Sequence, residues 1–395
     1  MQKRVLSHLA TYGLRLRKLA GALLPRRMQG LGVAAFILAL VYAGLFLIPT
    51  QSRKVLRIYS WAHYVPQSVI AAFEKREGVR VIYDVFDATE TMEAKLLAAR
   101  SGYDVVFAPT FPTAALFVPA RIFSKLDVKK LRNHHLLDPT LMRRLKAVDP
   151  EGCYVIPYLW GTTGMIYHEA RIKACAGDTP LPLDSWQLLF NVRYARQLET
   201  CRLVLLESAS DVFPDVLLAM GCPPASRSLK DLNAAASMLL HVRPYVYRFS
   251  ADILQDLLAE RVGVAEVYST YAHMAINHLK RTKGASPYRY VLPKEGAQMW
   301  VDVMAIPKDA PEPALAHKFL DYLMQPEVIA AATNQTYAAG AVMGARMFVK
   351  QAIRDNPAIY PSPAVMSRLH LDKPSSRTYE RLRLRLWTLV RTGFL

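Results

Sequence analysis

The residues of this 395-residue chain best placed to do chemistry near its start are aromatic. Leu56-Arg-Ile-Tyr-Ser-Trp-Ala-His-Tyr64 reads as a strand running into an aromatic loop. Phe73-Glu-Lys-Arg-Glu-Gly-Val-Arg-Val-Ile-Tyr83 reads as the end of a helix and a second strand, and Gly102-Tyr-Asp-Val-Val-Phe-Ala108 as a third strand. In open α/β sheets ligands collect at strand ends, and Trp61 and Tyr64 fall at the end of the first strand. An aromatic pair there suits a flat or cationic ligand. It does not suit a phosphate, because no glycine-rich phosphate loop follows. The chain has no Gly-x-Ser-x-Gly elbow, His-Glu-x-x-His, P-loop or Gly-x-Gly-x-x-Gly to point to catalysis. Asp211 and Asp302 are the one pair that could act as acid and base.

These residues need an α/β frame. Helix-period segments alternate with short β-rich runs at 80–83, 105–107, 154–156, 203–206, 262–267 and 301–306, which argues for α/β rather than all-β. No internal repeat or low-complexity segment interrupts them. The length allows two lobes with separate cores. At 52% apolar and 21% charged residues the chain is globular. Near the C-terminus, Leu382, Leu386, Leu389 and Val390 share a helical stripe, with Arg381 and Arg385 on another face. A strand also fits that stretch locally, and the arginine face reads as solvated.

The net charge is +18. Part of it is Lys3, Arg4, Arg15, Arg17, Lys18, Arg26 and Arg27, in a segment, 1–30, that carries no acid. No aromatic nucleic-acid-reading motif accompanies the charge, so nucleic acid is not an expected partner. Leu31 to Pro49 is uncharged and about long enough to cross a bilayer. The basic residues before it place the N-terminus in the cytoplasm and the rest outside. The run is therefore a transmembrane anchor or a signal segment. The anchor is favoured, since the run is longer than a signal core and no Ala-x-Ala follows it. The expected location is the periplasm, tethered to the inner membrane by residues 31–49. Cys153, Cys175, Cys201 and Cys222 allow three pairings there, and the sequence does not choose. No Cys-x-x-Cys or His cluster has metal-ligand spacing, so neither metal nor cofactor is expected.

From residue 55 to 395 the chain resembles the periplasmic putrescine- and spermidine-binding proteins of polyamine ABC transporters. The first loop carries the resemblance, together with Pro157-Tyr-Leu-Trp-Gly-Thr-Thr-Gly164, Val291-Leu-Pro-Lys-Glu-Gly296, Trp300-Val-Asp-Val-Met-Ala-Ile-Pro307 and Asn356-Pro-Ala-Ile-Tyr-Pro361, all in order. It implies a two-lobed periplasmic-binding-protein fold of type II, with a ligand cleft between the lobes. One lobe would comprise 54–158 plus 276–326 and the other 159–275 plus 327–395, with Gly161–Gly164 as a hinge. The C-terminal stretch would be a helix. The implied function is capture of a polyamine-like cation (putrescine, spermidine or an analogue) and its delivery to an ABC permease. A membrane-tethered sensor reporting to a receptor is the alternative, and an enzyme is not expected.

A polyamine site needs aromatic walls for methylenes and cation–π attraction, and carboxylates for the ammonium groups. The resemblance implies Trp61, Tyr64, Tyr268, Trp300 and Tyr337 as the walls. It implies Asp211 and Asp302 as the acids, and it adds Thr110. Two further acids are missing, because His63 and Tyr271 stand where that family carries aspartates. The disulfide common there also cannot form, since Gly263 replaces the cysteine that would partner Cys201. The cleft should therefore hold less negative charge than a putrescine site, with Glu266 the first candidate to compensate, being two residues before Tyr268 on the same strand face.

Overall fold

The computed structural model describes residues 53–393, apart from residue 99. The tail 1–30 and the apolar run 31–49 lie outside the described residues, and so does the question of an anchor or signal helix. No helix among the described residues is long and apolar enough to cross a membrane.

From Lys54 onward the chain forms one compact α/β unit. Its strands are β1 (Val55–Trp61), β2 (Arg80–Phe86), β3 (Val105–Pro109), β4 (Ile156–His168), β5 (Leu203–Leu205), β6 (Val246–Phe249), β7 (Val264–Tyr268), β8 (Tyr288–Val291), β9 (Ala297–Ala305), β10 (Ala339–Gly340) and β11 (Leu369–His370). Their order is β2-β1-β3-β9-β4-β7-β5-β6, with β8 and β10 also on β4 and β11 on β9. β1, β2 and β3 are parallel. β9 runs antiparallel between β3 and β4, and β7, β5 and β6 are again parallel.

β4 joins the two strand groups. Ile156 to Thr162 pair with β9, while Thr163 to Tyr167 pair with β7. Nearly every residue of β4 is buried, which explains its sequence: a strand covered on both faces loses the polar–apolar alternation. The sequence reading caught only its start, at 154–156. Gly161–Gly164, the expected hinge, lie inside this strand, where its pairing passes from β9 to β7. Close packing accounts for the glycines. A Cβ at Gly161 would sit 2.2 Å from Trp300 Cζ2, and one at Gly164 would sit 2.6 Å from Tyr290 Oη.

The helices that matter here are α1 (Gln67–Glu77), α2 (Ala209–Ala219), α3 (Leu229–Val242), α4 (Ser269–Lys283), α5 (Pro313–Leu323), α6 (Pro326–Thr336) and α7 (Arg377–Thr392). Gly78 closes α1 at φ +67°, and its N–H donates to Glu74 O, a left-handed cap that glycine adopts without cost. α1 buries Val69, Ile70 and Phe73, and Phe73 meets Phe319 of α5 at 4.9 Å. That core includes Ile58, Phe107 and Tyr158. A second apolar cluster sits under β5, β7 and α4, with Val204, Ala265, Val267 and Ile276. A third links Phe213 of α2 with Trp387 of α7.

The C-terminal stretch is the helix α7, not a strand. Arg381 and Arg385 are exposed, but Arg383 is buried and paired with Glu380 (2.6 Å) and Asp372 (3.7 Å), so not every arginine of α7 is solvated. Cys201 is bonded to Cys175, while Cys153 and Cys222 are free. Gly263 lies directly on Cys201, where a Cβ would fall 2.0 Å from the Cys201 carbonyl oxygen.

Candidate functional site

Each of the two expected acids is held by a tyrosine. Tyr64, just past β1, donates its hydroxyl to Asp302 Oδ2 at 2.6 Å. Its ring packs edge-on against Phe107 and Tyr158. Asp302 is on β9 opposite Pro109 of β3 and Leu159 of β4. Burial pushes its carboxyl up to about 6, against the smaller lowering effect of the Tyr64 hydrogen bond. Tyr64 is itself raised, by burial first and then by Asp302. Thr110 lies beside this pair, but its hydroxyl donates to Val301 O at 2.6 Å and so holds the backbone.

The second pair joins α2 to β7. Tyr268 ends β7 and donates to Asp211 Oδ2 at 3.0 Å. Asp211 is in the first turn of α2, where the helix dipole favours a carboxylate by a few tenths to about 1 kcal/mol. Burial outweighs that, and the hydrogen bonds from Ser208 and Tyr268 as well, so the carboxyl is raised. The Tyr268 ring meets Tyr271 at 6.4 Å and Trp300 at 6.5 Å. Trp300 is two residues before Asp302 on β9, and its ring contact is with the Tyr268 pair. Its ring lies over Gly161, and its Nε1 is buried without a hydrogen-bond partner.

Two expected residues share an unusual backbone. His63 (φ +57°) and Tyr337 (φ +60°) are non-glycine residues in the left-handed region, an uncommon conformation for bulky residues. Gln335, at the end of α6, donates from Nε2 to His63 O, tying the loop after β1 to the turn that holds Tyr337. His63 is exposed. Trp61 packs on Phe86 at 4.3 Å.

Glu266 does not face the tyrosines' side of the cluster as a free carboxylate. It is fully buried, accepts from Leu206 N at 3.1 Å and contacts the carboxyl of Asp215. The sequence reading missed Asp215. The signal for it was Asp211-x-x-x-Asp215, the i, i+4 spacing of one helix face in an otherwise apolar stretch. Gln298 of β9 braces the same place, donating to Ser210 O (3.0 Å) and Asp211 O (2.7 Å). A surface cavity of about 410 Å³ lies elsewhere, on the β5–β6–β7 edge, lined by Arg202, Arg248, Arg261 and Asp256. Its guanidinium groups repel a cation. Among the described residues no three His, Cys, Asp or Glu side chains are grouped to hold a metal ion.

The arrangement is thus two buried tyrosine-held carboxylates, with the Trp300 indole against the Tyr268 pair and more aromatics around it. It can hold cationic groups by charge and by aromatic faces. The chain is 37% identical to the putrescine-binding periplasmic protein SpuD of Pseudomonas aeruginosa, over 90% of this chain and 98% of the relative. It is 34% identical to the putrescine-binding periplasmic protein PotF of Escherichia coli, over 86% and 92%. Its fold matches that of a solved candidate spermidine/putrescine ABC transporter from Listeria monocytogenes with a TM-score of 0.74 at 27% identity, covering 86% of this chain and 99% of the other. The profile of the bacterial extracellular solute-binding proteins matches residues 68–345, and with these relatives it shows that the chain belongs to that family.

Proposed function

We propose that this protein is the periplasmic ligand-capturing component of an ABC transporter for a polyamine-like cation. The observation that carries the reading is the pair of buried acids, Asp302 on Tyr64 and Asp211 on Tyr268, with Trp300 against Tyr268. Buried carboxylates without a basic partner are costly, and a bound ammonium would supply the missing counter-charge. The names of the relatives support the ligand class and the transport role. They lend nothing to the receptor-coupled alternative. Membership of a binding-protein family supports reading the acids as ligand-holding groups rather than catalytic ones.

In this reading the ligand sits where β4 and β9 pass between the strand groups. The lobes 54–158 plus 276–326 and 159–275 plus 327–395 close over it, with Trp61, His63, Thr110, Tyr271 and Tyr337 completing the lining. Calorimetric titration of the full chain with putrescine, cadaverine, spermidine, agmatine and neutral amino acids tests it. Saturable binding of at least one polyamine and none of the neutral ligands is expected, and binding confined to neutral ligands would sink it. Because Asp302 must be ionised to attract an ammonium and burial raises it to about 6, affinity should fall as pH drops through 6. An affinity unchanged from pH 7 to pH 5 would place the charge elsewhere.

The apolar run at 31–49 serves in the same reading as an uncleaved tether. After cell fractionation the protein should remain with the inner membrane through a high-salt wash. A soluble periplasmic form that begins near residue 53 would make the run a cleaved signal.

A further inference from the structure

We propose that the Asp215–Glu266 carboxyl pair is a reserve of negative charge beneath the cleft, which holds one proton in the free protein and releases it to solvent when a dication binds beside Asp211. The inference rests on the cation-binding reading above.

The geometry repeats one contact at two depths. Asp215 follows Asp211 by four residues in α2, on the same helix face. Glu266 precedes Tyr268 by two residues in β7, on the same strand face. Tyr268 reaches Asp211, and one step deeper Glu266 meets Asp215. Both deeper residues are fully buried. Glu266 Oε2 accepts from Leu206 N, and the Gln298 backbone N–H acts weakly on the Asp215 carboxyl, but no donor of full hydrogen-bond geometry reaches Glu266 Oε1 or either Asp215 oxygen. Two carboxylates cannot both stay ionised in that setting, so a shared proton satisfies them.

The surroundings keep the proton in place while no cation is bound. Asp211 faces the pair from the same helix, Tyr268 from β7 and Tyr290 from β8, and Gln298 on β9 is neutral. Arg383 of α7 is the cation that acts on Asp211, and it is already engaged by Glu380 and Asp372. Burial raises Glu266 to about 8, and Asp215 is also raised, by burial first and then by Glu266. The reserve is therefore loaded at neutral pH. An ammonium on Asp211 would lie roughly one helical turn from the pair and favour its ionised form. The cleft has use for that charge, because His63 and Tyr271 supply none.

The test is calorimetry of the full chain with putrescine at pH 7.5, in phosphate and in Tris, whose ionisation enthalpies differ. Release approaching one proton per putrescine is expected, with affinity rising by up to tenfold per pH unit between pH 7 and 8. Asp302 is already ionised in that range, so its own titration does not contribute. Glu266→Gln and Asp215→Asn should each abolish the release. Putrescine binding with no buffer dependence in the unaltered protein overturns the proposal and leaves the cation site standing. Release that persists in folded Glu266→Gln overturns it too. Failure of any polyamine to bind removes the cation reading itself.

Discussion

Asp302→Asn is expected to weaken putrescine binding by roughly thirty-fold to a few thousand-fold, the range for removing one partner of a buried charge pair, about 2–5 kcal/mol. The substitution isolates the charge. Asparagine keeps the shape and can still accept the Tyr64 hydroxyl through its Oδ1, so the bond now 2.6 Å long survives. What disappears is the counter-charge for an ammonium at a position only 9% exposed, where water does little to screen it. Calorimetric titration of both proteins, with circular dichroism to confirm folding, provides the comparison. If the affinity for the best ligand stays the same, Asp302 is not in contact with it.

The opposite change should follow from restoring the two absent acids. His63→Asp combined with Tyr271→Asp is expected to tighten putrescine binding by roughly ten- to a hundred-fold, on the basis of about 1.5–3 kcal/mol for a hydrogen bond to a charged group. His63 is exposed at φ +57°, a left-handed position that aspartate tolerates well. Tyr271 is harder to replace, because its half-buried ring packs near Tyr268 and its loss costs packing. Ala62→Ser with His63→Asp spares that ring and should give a smaller gain. With acids restored at the cleft, the deeper carboxyl pair would be called on less, and proton release per putrescine should decline. If the unaltered protein binds putrescine tightly and neither variant improves on it, missing charge is not what limits this cleft.

Part of this site was legible residue by residue. The aromatic loop after β1 was visible because Trp61 and Tyr64 follow an apolar strand pattern, and strand ends are where α/β sheets place their ligands. Asp302 and Trp300 were legible through their motif, since i and i+2 on one strand share a face. Asp211 was legible through the family resemblance, but its bond to Tyr268 spans 57 positions and left no local trace. The α/β class and the strands of the first half could also be read from periodicity and motif, whereas the helical C-terminus needed the resemblance, since a strand fitted locally. β6 and β8 could not be, because they are four residues long and half-exposed, too short for an alternation to stand out.

The sequence by itself determined the class of fold and where acids and aromatics stand along the chain, because these depend on residue type and local spacing; the absence of two family acids at His63 and Tyr271 is what the resemblance implies. It left three cysteine pairings open, and the tertiary structure selected Cys175–Cys201 by bringing two positions 26 residues apart to a Cα separation of 6.1 Å. It offered Gly161–Gly164 as a hinge, and only the packing shows that Gly161 and Gly164 also make room for Trp300 and Tyr290. It offered Glu266 as a free carboxylate for the cleft. Only the packed α2 and β7 show that carboxyl turned inward onto Asp215 and away from water. Charge at a buried acid depends on what surrounds it in space, and that environment is assembled from β7, α2 and β9, which are distant in sequence.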